Sequence, residues 1–212
     1  MARKPRVHYE GAFYHVTARG NNKSEVFRDE EDKQKYMDLV KKYGRKYAVT
    51  LHAYVLMDNH LHLLAQVAET PLSRYMQLVQ QCYTQYFNRR HRRVGHLFQG
   101  RYNAELITND VYLLEVVKYI HLNPVKAGLV ERPDEYPWSS YRHYAFGQGM
   151  GPVKTGFITS VLKEYGLADT LSYDPAANLT GKEISILKQP GENKVQKLPK
   201  WQRDHLKLEK IL

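Results

Sequence analysis

The sequence predicts an α+β protein built on a ferredoxin-like split βαβ sheet: four antiparallel strands with two helices on one face, then one further helix and a C-terminal extension. Two observations carry that expectation. Segments with the alternation of a strand and segments with the apolar stripe of a helix follow one another as strand, helix, strand, strand, helix, strand. The central strands are separated only by Asp58-Asn59, a turn signal short enough to impose a hairpin. In that arrangement the helices cover one face of the sheet and leave the other open to carry something.

Each element has a local cause. Phe13 to Arg19 reads as the first strand, ended by Gly20-Asn21-Asn22. Asp29 is a fair N-cap for a helix through Tyr43, where Tyr36, Leu39, Val40 and Tyr43 form an apolar stripe and Gly44 supplies a stop. Val49 to Met57, rich in β-branched and apolar residues, is the second strand, and His60 to Val67 returns as the third. Thr70-Pro71 caps the next helix, with proline at its first helical position. Leu72, Tyr75, Met76, Val79, Cys82, Tyr83, Tyr86 and Phe87 recur through it at helical spacing, so Cys82 reads as a small apolar residue rather than a nucleophile. A fourth strand lies within Leu97 to Ile107. A further helix starts near Asn109-Asp110 and is expected to end by Asn123, because Pro124 cannot continue it. Beyond Tyr144, Gly147, Gly149, Gly151 and Pro152 read as a flexible joint, and Phe157 to Tyr165 as one short helix. A lysine-rich, weakly patterned stretch follows. The expected organisation is one main domain over 1–147 and a C-terminal extension over 152–212.

Composition narrows the function. Hydrophobic residues make 42% and charged residues 25% of the 212, enough apolar material for a core. No apolar run is long enough for a membrane span, and no apolar signal segment follows the basic start, so a cytoplasmic protein is expected. The single cysteine excludes an internal disulfide and a cysteine-built zinc site. Lysine and arginine number 32 against 22 acidic residues, a net charge of +10 that points to a polyanion, with nucleic acid first. Seventeen tyrosines and ten histidines add ring faces on which unpaired bases stack.

One triplet and one helix face carry the chemistry. In His60-Leu61-His62 the two imidazoles share a face of a strand and Leu61 points into the opposite layer. Such a pair can hold one divalent metal. Alone the signal is weak, since ten histidines give about 0.5 such triplets by chance in this length. Tyr119 and Asn123 lie four apart on a helix and stack on one face, beside the buried stripe of Leu113, Leu114, Val117 and Ile120.

The surrounding sequence is more specific. Tyr54-Val55-Leu56-Met57-Asp58-Asn59-His60-Leu61-His62 is followed by Gly95-His96-Leu97-Phe98-Gln99-Gly100-Arg101-Tyr102. Then come Tyr119-Ile120-His121-Leu122-Asn123-Pro124-Val125-Lys126-Ala127-Gly128-Leu129 and Tyr136-Pro137-Trp138-Ser139-Ser140-Tyr141. In this order the stretches resemble the HUH single-tyrosine transposases, specifically their REP-associated branch, over roughly residues 8 to 147. The resemblance implies that the further helix is catalytic, with Tyr119 as nucleophile. His60, His62 and Asn123 match the metal ligands, and all four positions fit the pattern. It also implies a bacterial, nucleoid-associated enzyme whose substrate is a single-stranded DNA hairpin from a palindromic repeat. A monomer is favoured over a homodimer.

The implied chemistry suits these groups. A phosphodiester is an anion that resists an anionic attacker, and a divalent metal beside its non-bridging oxygen withdraws charge. Tyrosine hydroxyls titrate near pH 10, so they need help to become nucleophiles. Attack yields a 5′-phosphotyrosine and frees a 3′-hydroxyl. Two imidazoles and one amide oxygen suit Mg²⁺ or Mn²⁺ better than zinc, whose structural sites are closed by four protein ligands. Candidate phosphate contacts are Arg89, Arg90, Arg92 and Arg93 at the end of the second helix, with Arg3, Lys4, Arg6, Arg19, Lys23 and Arg101. His96, Tyr102, His121 and Trp138 are as well placed for the core as for DNA. Two alternatives remain open at this point: a domesticated hairpin-binding protein without turnover, and a metal-dependent phosphodiesterase that uses water.

Overall fold

The first strand forms where Phe13–Arg19 alternates between layers, and it becomes the centre of a sheet because both of its edges find partners. In the computed structural model, which describes residues 8–165, the elements run β1 (Phe13–Arg19), α1 (Glu30–Tyr47), β2 (Thr50–Met57), β3 (His60–Gln66), α2 (Leu72–Arg90), β4 (Asn103–Leu106) and α3 (Asp110–Lys126). Two short helices follow, α4 (Tyr141–Phe146) and α5 (Gly156–Glu164). The strand order is β2-β3-β1-β4, with every neighbouring pair antiparallel. This is the split βαβ sheet expected from the sequence.

Strand alternation sorts the two faces. Leu61 and Leu63 of β3 are fully buried on the side covered by α1 and α2. Tyr36 of α1 packs edge-on against Tyr83 of α2 at 5.0 Å, and Phe27 joins both rings. His60 and His62 point to the opposite face, where α3 crosses β2 and β3. Leu113, Leu114, Val117 and Ile120 of α3 are buried there, as their spacing predicts.

Several boundaries differ from the local signals, each for a physical reason. Asp29 caps α1, accepting the Asp32 N–H at 3.0 Å, but Gly44 does not end the helix. The chain turns at Ala48 in the left-handed region and folds back, and a Cβ at Gly44 would sit 3.0 Å from the Val49 carbonyl oxygen. Glycine at 44 serves close approach. Pro124 lies inside α3, whose last turn continues because the Ala127 N–H still reaches the Asn123 carbonyl at 3.0 Å. So late in a helix, proline removes only its own hydrogen bond. Pro71 occupies the cap position of α2 without a side-chain cap bond, one residue earlier than expected.

The glycine-rich stretch after α4 packs closely rather than forming an open joint. A Cβ at Gly151 would meet Met37 Cε at 2.6 Å, and the Tyr54 hydroxyl donates to the Met150 carbonyl at 2.6 Å. Val153 then bridges to Leu51 at the β2 edge, and Ile158, Val161 and Leu162 of α5 join the core. Among the described residues no helix is long and apolar enough to cross a membrane.

Candidate functional site

The site forms where the open face of the sheet meets α3. In β3 the histidines occupy alternate positions, paired across the β1 register as His60 with Arg19 and His62 with Thr17. The β2–β3 hairpin fixes their height, since Met57 pairs with His60 and Val55 with His62. Asn109 starts α3 by accepting the Tyr112 N–H at 2.8 Å. Its buried stripe then sets the rotation of the helix, so that Tyr119 and Asn123 overhang β3. The Asn123 Oδ1 lies 3.1 Å from His60 Nε2, and the Tyr119 ring meets the His62 ring edge-on with centroids 5.2 Å apart. The four side chains singled out in the sequence are therefore brought together by two elements of one chain, β3 and α3. Asn123 is buried, whereas Tyr119 is 40% exposed and accessible to a macromolecular substrate.

Burial pushes the His60 imidazole below its ordinary range, with Arg19 adding to the effect and the Asn123 contact opposing it. His62 is pushed down to about 3, first by burial and then by the neighbouring His15 and His60. Both rings are thus neutral at pH 7. The His60 Nδ1 lies 2.6 Å from Asn59 Oδ1, and in the tautomer that donates there Nε2 carries the lone pair. That lone pair faces an amide oxygen, another acceptor, at 3.1 Å. Two cis ligands of an octahedral ion with bonds near 2.1 Å stand about 3.0 Å apart. The donor set therefore fits a hard or borderline divalent cation. Among the described residues no three His, Cys, Asp or Glu side chains gather as a ligand set, so two imidazoles and one amide would leave positions for water and phosphate oxygen.

His15, which no sequence motif marks, also belongs to this site. It lies on β1, its Nε2 is 3.0 Å from His62 Nδ1, and its ring approaches Tyr119 edge-on at 5.9 Å. The only sequence signal available was its place two residues before Thr17 on the same face of a strand. Lys126 Nζ sits 5.2 Å from the Tyr119 ring centroid, a second contact the motifs did not mark. A cleft of about 620 Å³ opens beside these groups, lined by Thr17, Arg19, His60, His62, Arg101 and Tyr119 among others.

The proposed phosphate contacts separate sharply. Arg19 and Arg101 are exposed at the cleft. Arg101 is carried there because the Asn21 N–H donates to the Leu97 carbonyl and the Gln99 N–H to the Arg19 carbonyl, both at 2.9 Å. Lys23 is exposed just beyond β1. Arg90 does not face a free surface. Its guanidinium reaches Asp29 at 2.8 Å, Asp32 at 2.7 Å and Glu31 at 2.9 Å, tying the end of α2 to the start of α1. Arg93 lies over the Phe87 ring at 5.8 Å, while Arg89 and Arg92 are exposed. Arg3, Lys4 and Arg6 lie outside the described residues. His121 is buried, its Nε2 2.8 Å from Ser140 Oγ, and burial pushes its pKa down to about 3. It faces the core and not the site. Tyr102 and Trp138 are likewise buried, and His96 is exposed.

A family model described as IS200-like transposase matches residues 8–123, more than half of the chain. The chain belongs to the IS200-like transposase family. The IS200-like match includes His60, His62, Tyr119 and Asn123, and ends at the last of them. A relative from Haemophilus influenzae, provisionally named a REP-associated tyrosine transposase, is 32% identical over 102 residues. That alignment covers 42% of this chain and 57% of the relative, so the chain spans little more than half the length of that curated relative. Among solved structures, a REP-associated tyrosine transposase bound to a REP hairpin matches with a TM-score of 0.60 at 22% identity. It covers 69% of this IS200-like chain and 87% of its own, a likeness of fold.

Proposed function

We propose that this chain nicks and rejoins single-stranded DNA bearing a folded hairpin, through a covalent link to Tyr119 and with Mg²⁺ or Mn²⁺ held by His60, His62 and Asn123. One observation carries the reading: a solvent-accessible phenol stands edge-on to His62 at 5.2 Å, while Asn123, one helical turn further on, meets His60 at 3.1 Å. Membership of the IS200-like transposases supports it, as does the hairpin held by the solved relative.

A divalent ion bound there supplies a Lewis acid that withdraws charge from the scissile phosphate. The protein does the rest. Arg19 and Arg101 hold backbone phosphates at the cleft, and α3 aims Tyr119 over β3. The Tyr119 Oη bonds to phosphorus and loses its proton to solvent. The bond from phosphorus to the 3′-oxygen breaks, and that oxygen gains a proton. The product is a 5′-phosphotyrosine with the same number of phosphoester bonds. A 3′-hydroxyl attacking in reverse reseals DNA without an external energy source. All four side chains come from one chain, which favours a monomer. Light scattering of the purified protein should give a mass near 24.8 kDa.

The test is incubation with labelled hairpin DNA and Mn²⁺, followed by a denaturing gel. A covalent adduct that vanishes in Tyr119→Phe and His60→Ala is the expected result. Cleavage without an adduct would replace the tyrosine by water. Salt-sensitive binding with no cleavage would leave a binding protein.

A further inference from the structure

We propose that His15 is a positioning residue for His62: it accepts the His62 Nδ1 proton and so keeps the His62 Nε2 lone pair free for a divalent cation. The inference rests on the metal-assisted reading above and adds a residue that no motif marks. Three observations carry it. His15 pairs with Leu64 across β1 and β3, which makes it the diagonal neighbour of His62 on the open face. The two rings stack at 5.2 Å with an interplanar angle of 23°, and the nitrogens stand 3.0 Å apart. Thirdly, His60 has the equivalent partner, since Asn59 Oδ1 accepts from its Nδ1 at 2.6 Å. Both imidazoles of the pair therefore have a partner at Nδ1, and His60 presents its Nε2 to Asn123.

A neutral imidazole has one donor and one acceptor nitrogen. Two neutral rings joined by one hydrogen bond share a single proton in it, so the direction of that bond decides which nitrogen of His62 is free. If His15 donated, the His62 proton would be left on Nε2, blocking it as a ligand. Glu105 favours the other direction. It is the β4 partner of His15 and is held by the Tyr112 hydroxyl donating to Oε2 at 2.7 Å. A carboxylate on that neighbouring strand would favour a proton on His15 Nδ1, the nitrogen not turned to His62, and so leave its Nε2 as the acceptor. Outer partners of ligating histidines fix tautomer and ring orientation in this way, and their loss costs about 10–100-fold in metal affinity.

The experiment measures Mn²⁺ binding by electron paramagnetic resonance on the full chain, its His15→Ala, His15→Gln and His60→Ala variants, with thermal melting of each without metal. His15→Ala is expected to bind Mn²⁺ about 10–100-fold more weakly. His15→Gln, whose amide oxygen can accept from His62 Nδ1, should recover part of the loss. Long-range proton–nitrogen spectra of the parent protein should show His62 protonated at Nδ1. Unchanged Mn²⁺ affinity in His15→Ala, with binding lost in His60→Ala, overturns this proposal and leaves the metal reading standing. Equal losses in the alanine and glutamine variants reduce His15 to packing and also overturn it. Protonation of His62 at Nε2 does the same, independently of metal. Failure of the parent to bind Mn²⁺ sinks both readings together.

Discussion

Beneath the sheet, Phe27, Tyr36, Tyr83 and Phe87 fill the space between α1 and α2, and the charges that enter are matched at once: Arg90 and His91 close on Asp32. Above the same strands, His15, His60, His62 and Asn123 stand in contact with one another, beside an exposed Tyr119. On the lower face the buried Asp32 carboxylate is matched by the Arg90 guanidinium at 2.7 Å, which ties α1 to α2. On the upper face His60 Nε2 and Asn123 Oδ1 stand 3.1 Å apart beside the hydrogen-bonded His15–His62 pair, the gap that the proposed cation would fill. The contrast teaches where this fold keeps its stability and where it keeps its chemistry. Substitutions below should change the melting temperature, and substitutions above should change the reaction.

The largest effect expected is on the upper face. Tyr119→Phe should reduce covalent adduct to background, with a melting temperature within about 2 °C of the parent, because the ring contacts remain and only an exposed hydroxyl is lost. Scanning calorimetry beside the gel assay checks both halves, and a variant that still forms adduct would remove Tyr119 from the mechanism. On the lower face, Phe87→Ala should cost about 3–5 kcal/mol in urea denaturation. Its ring is fully buried and lies tilted against His91 with centroids 4.4 Å apart, so both apolar packing and the ion cluster lose support. Adduct formed per folded molecule should be unaffected. If it falls as steeply as in Tyr119→Phe, the two faces are coupled and the comparison fails.

The arginines provide a finer contrast. Arg90→Ala should lower the melting temperature and leave hairpin affinity alone, since its guanidinium is spent on Asp29, Glu31 and Asp32. Arg101→Ala should do the reverse. It should weaken binding several-fold and reduce the slope of log affinity against log salt by about 0.7–1, the share of one phosphate contact. Fluorescence anisotropy with a labelled hairpin between 50 and 200 mM salt, about the range over which such contacts fade, separates them. Equal slopes for the two variants would erase the distinction.

That pair also shows what a sequence can and cannot display. Arg89, Arg90, Arg92 and Arg93 look alike in a row, and nothing local distinguishes the one that meets Asp32, 58 residues away. His15 was invisible for the same reason, since its partner is 47 residues distant on another strand. Local signals were legible: β1 was bounded by its alternation and its Gly20-Asn21 end, Asp29 caps α1, and Asn109 caps α3. Strand and helix periodicity assigned the four motif residues their faces before any contact was known, while their selection as a site came from the resemblance of the surrounding stretches to a known family. Gly44 and Pro124 misled because each was judged by intrinsic preference, while a tertiary contact and a late position in the helix decided the outcome.

The smallest effect concerns the seam where α5 joins the sheet. His52 is buried between Phe13 and Phe157, with Nδ1 3.0 Å from the Lys154 carbonyl oxygen and Nε2 3.1 Å from Gln66 Oε1. Those acceptors favour the protonated ring, but burial is the larger influence and holds its pKa below the ordinary 6.5. A group whose folded pKa is depressed contributes stability above its unfolded value, and that contribution fades as pH falls. The unfolded chain takes up a proton near pH 6.5 that the folded chain resists, so the loss begins there and continues downward. His62 and His121 are depressed in the same sense, so the parent's pH dependence alone does not isolate His52. The difference does. His52→Gln keeps a side chain that can hydrogen-bond and removes the titration, so its denaturation midpoint should drop less than the parent's between pH 7.5 and pH 5.5, a span of about one unit above and below the histidine reference value. Identical drops would mean that the ring protonates freely while folded, and that the aromatic contacts to Phe13 and Phe157 do not exclude water from the α5 seam.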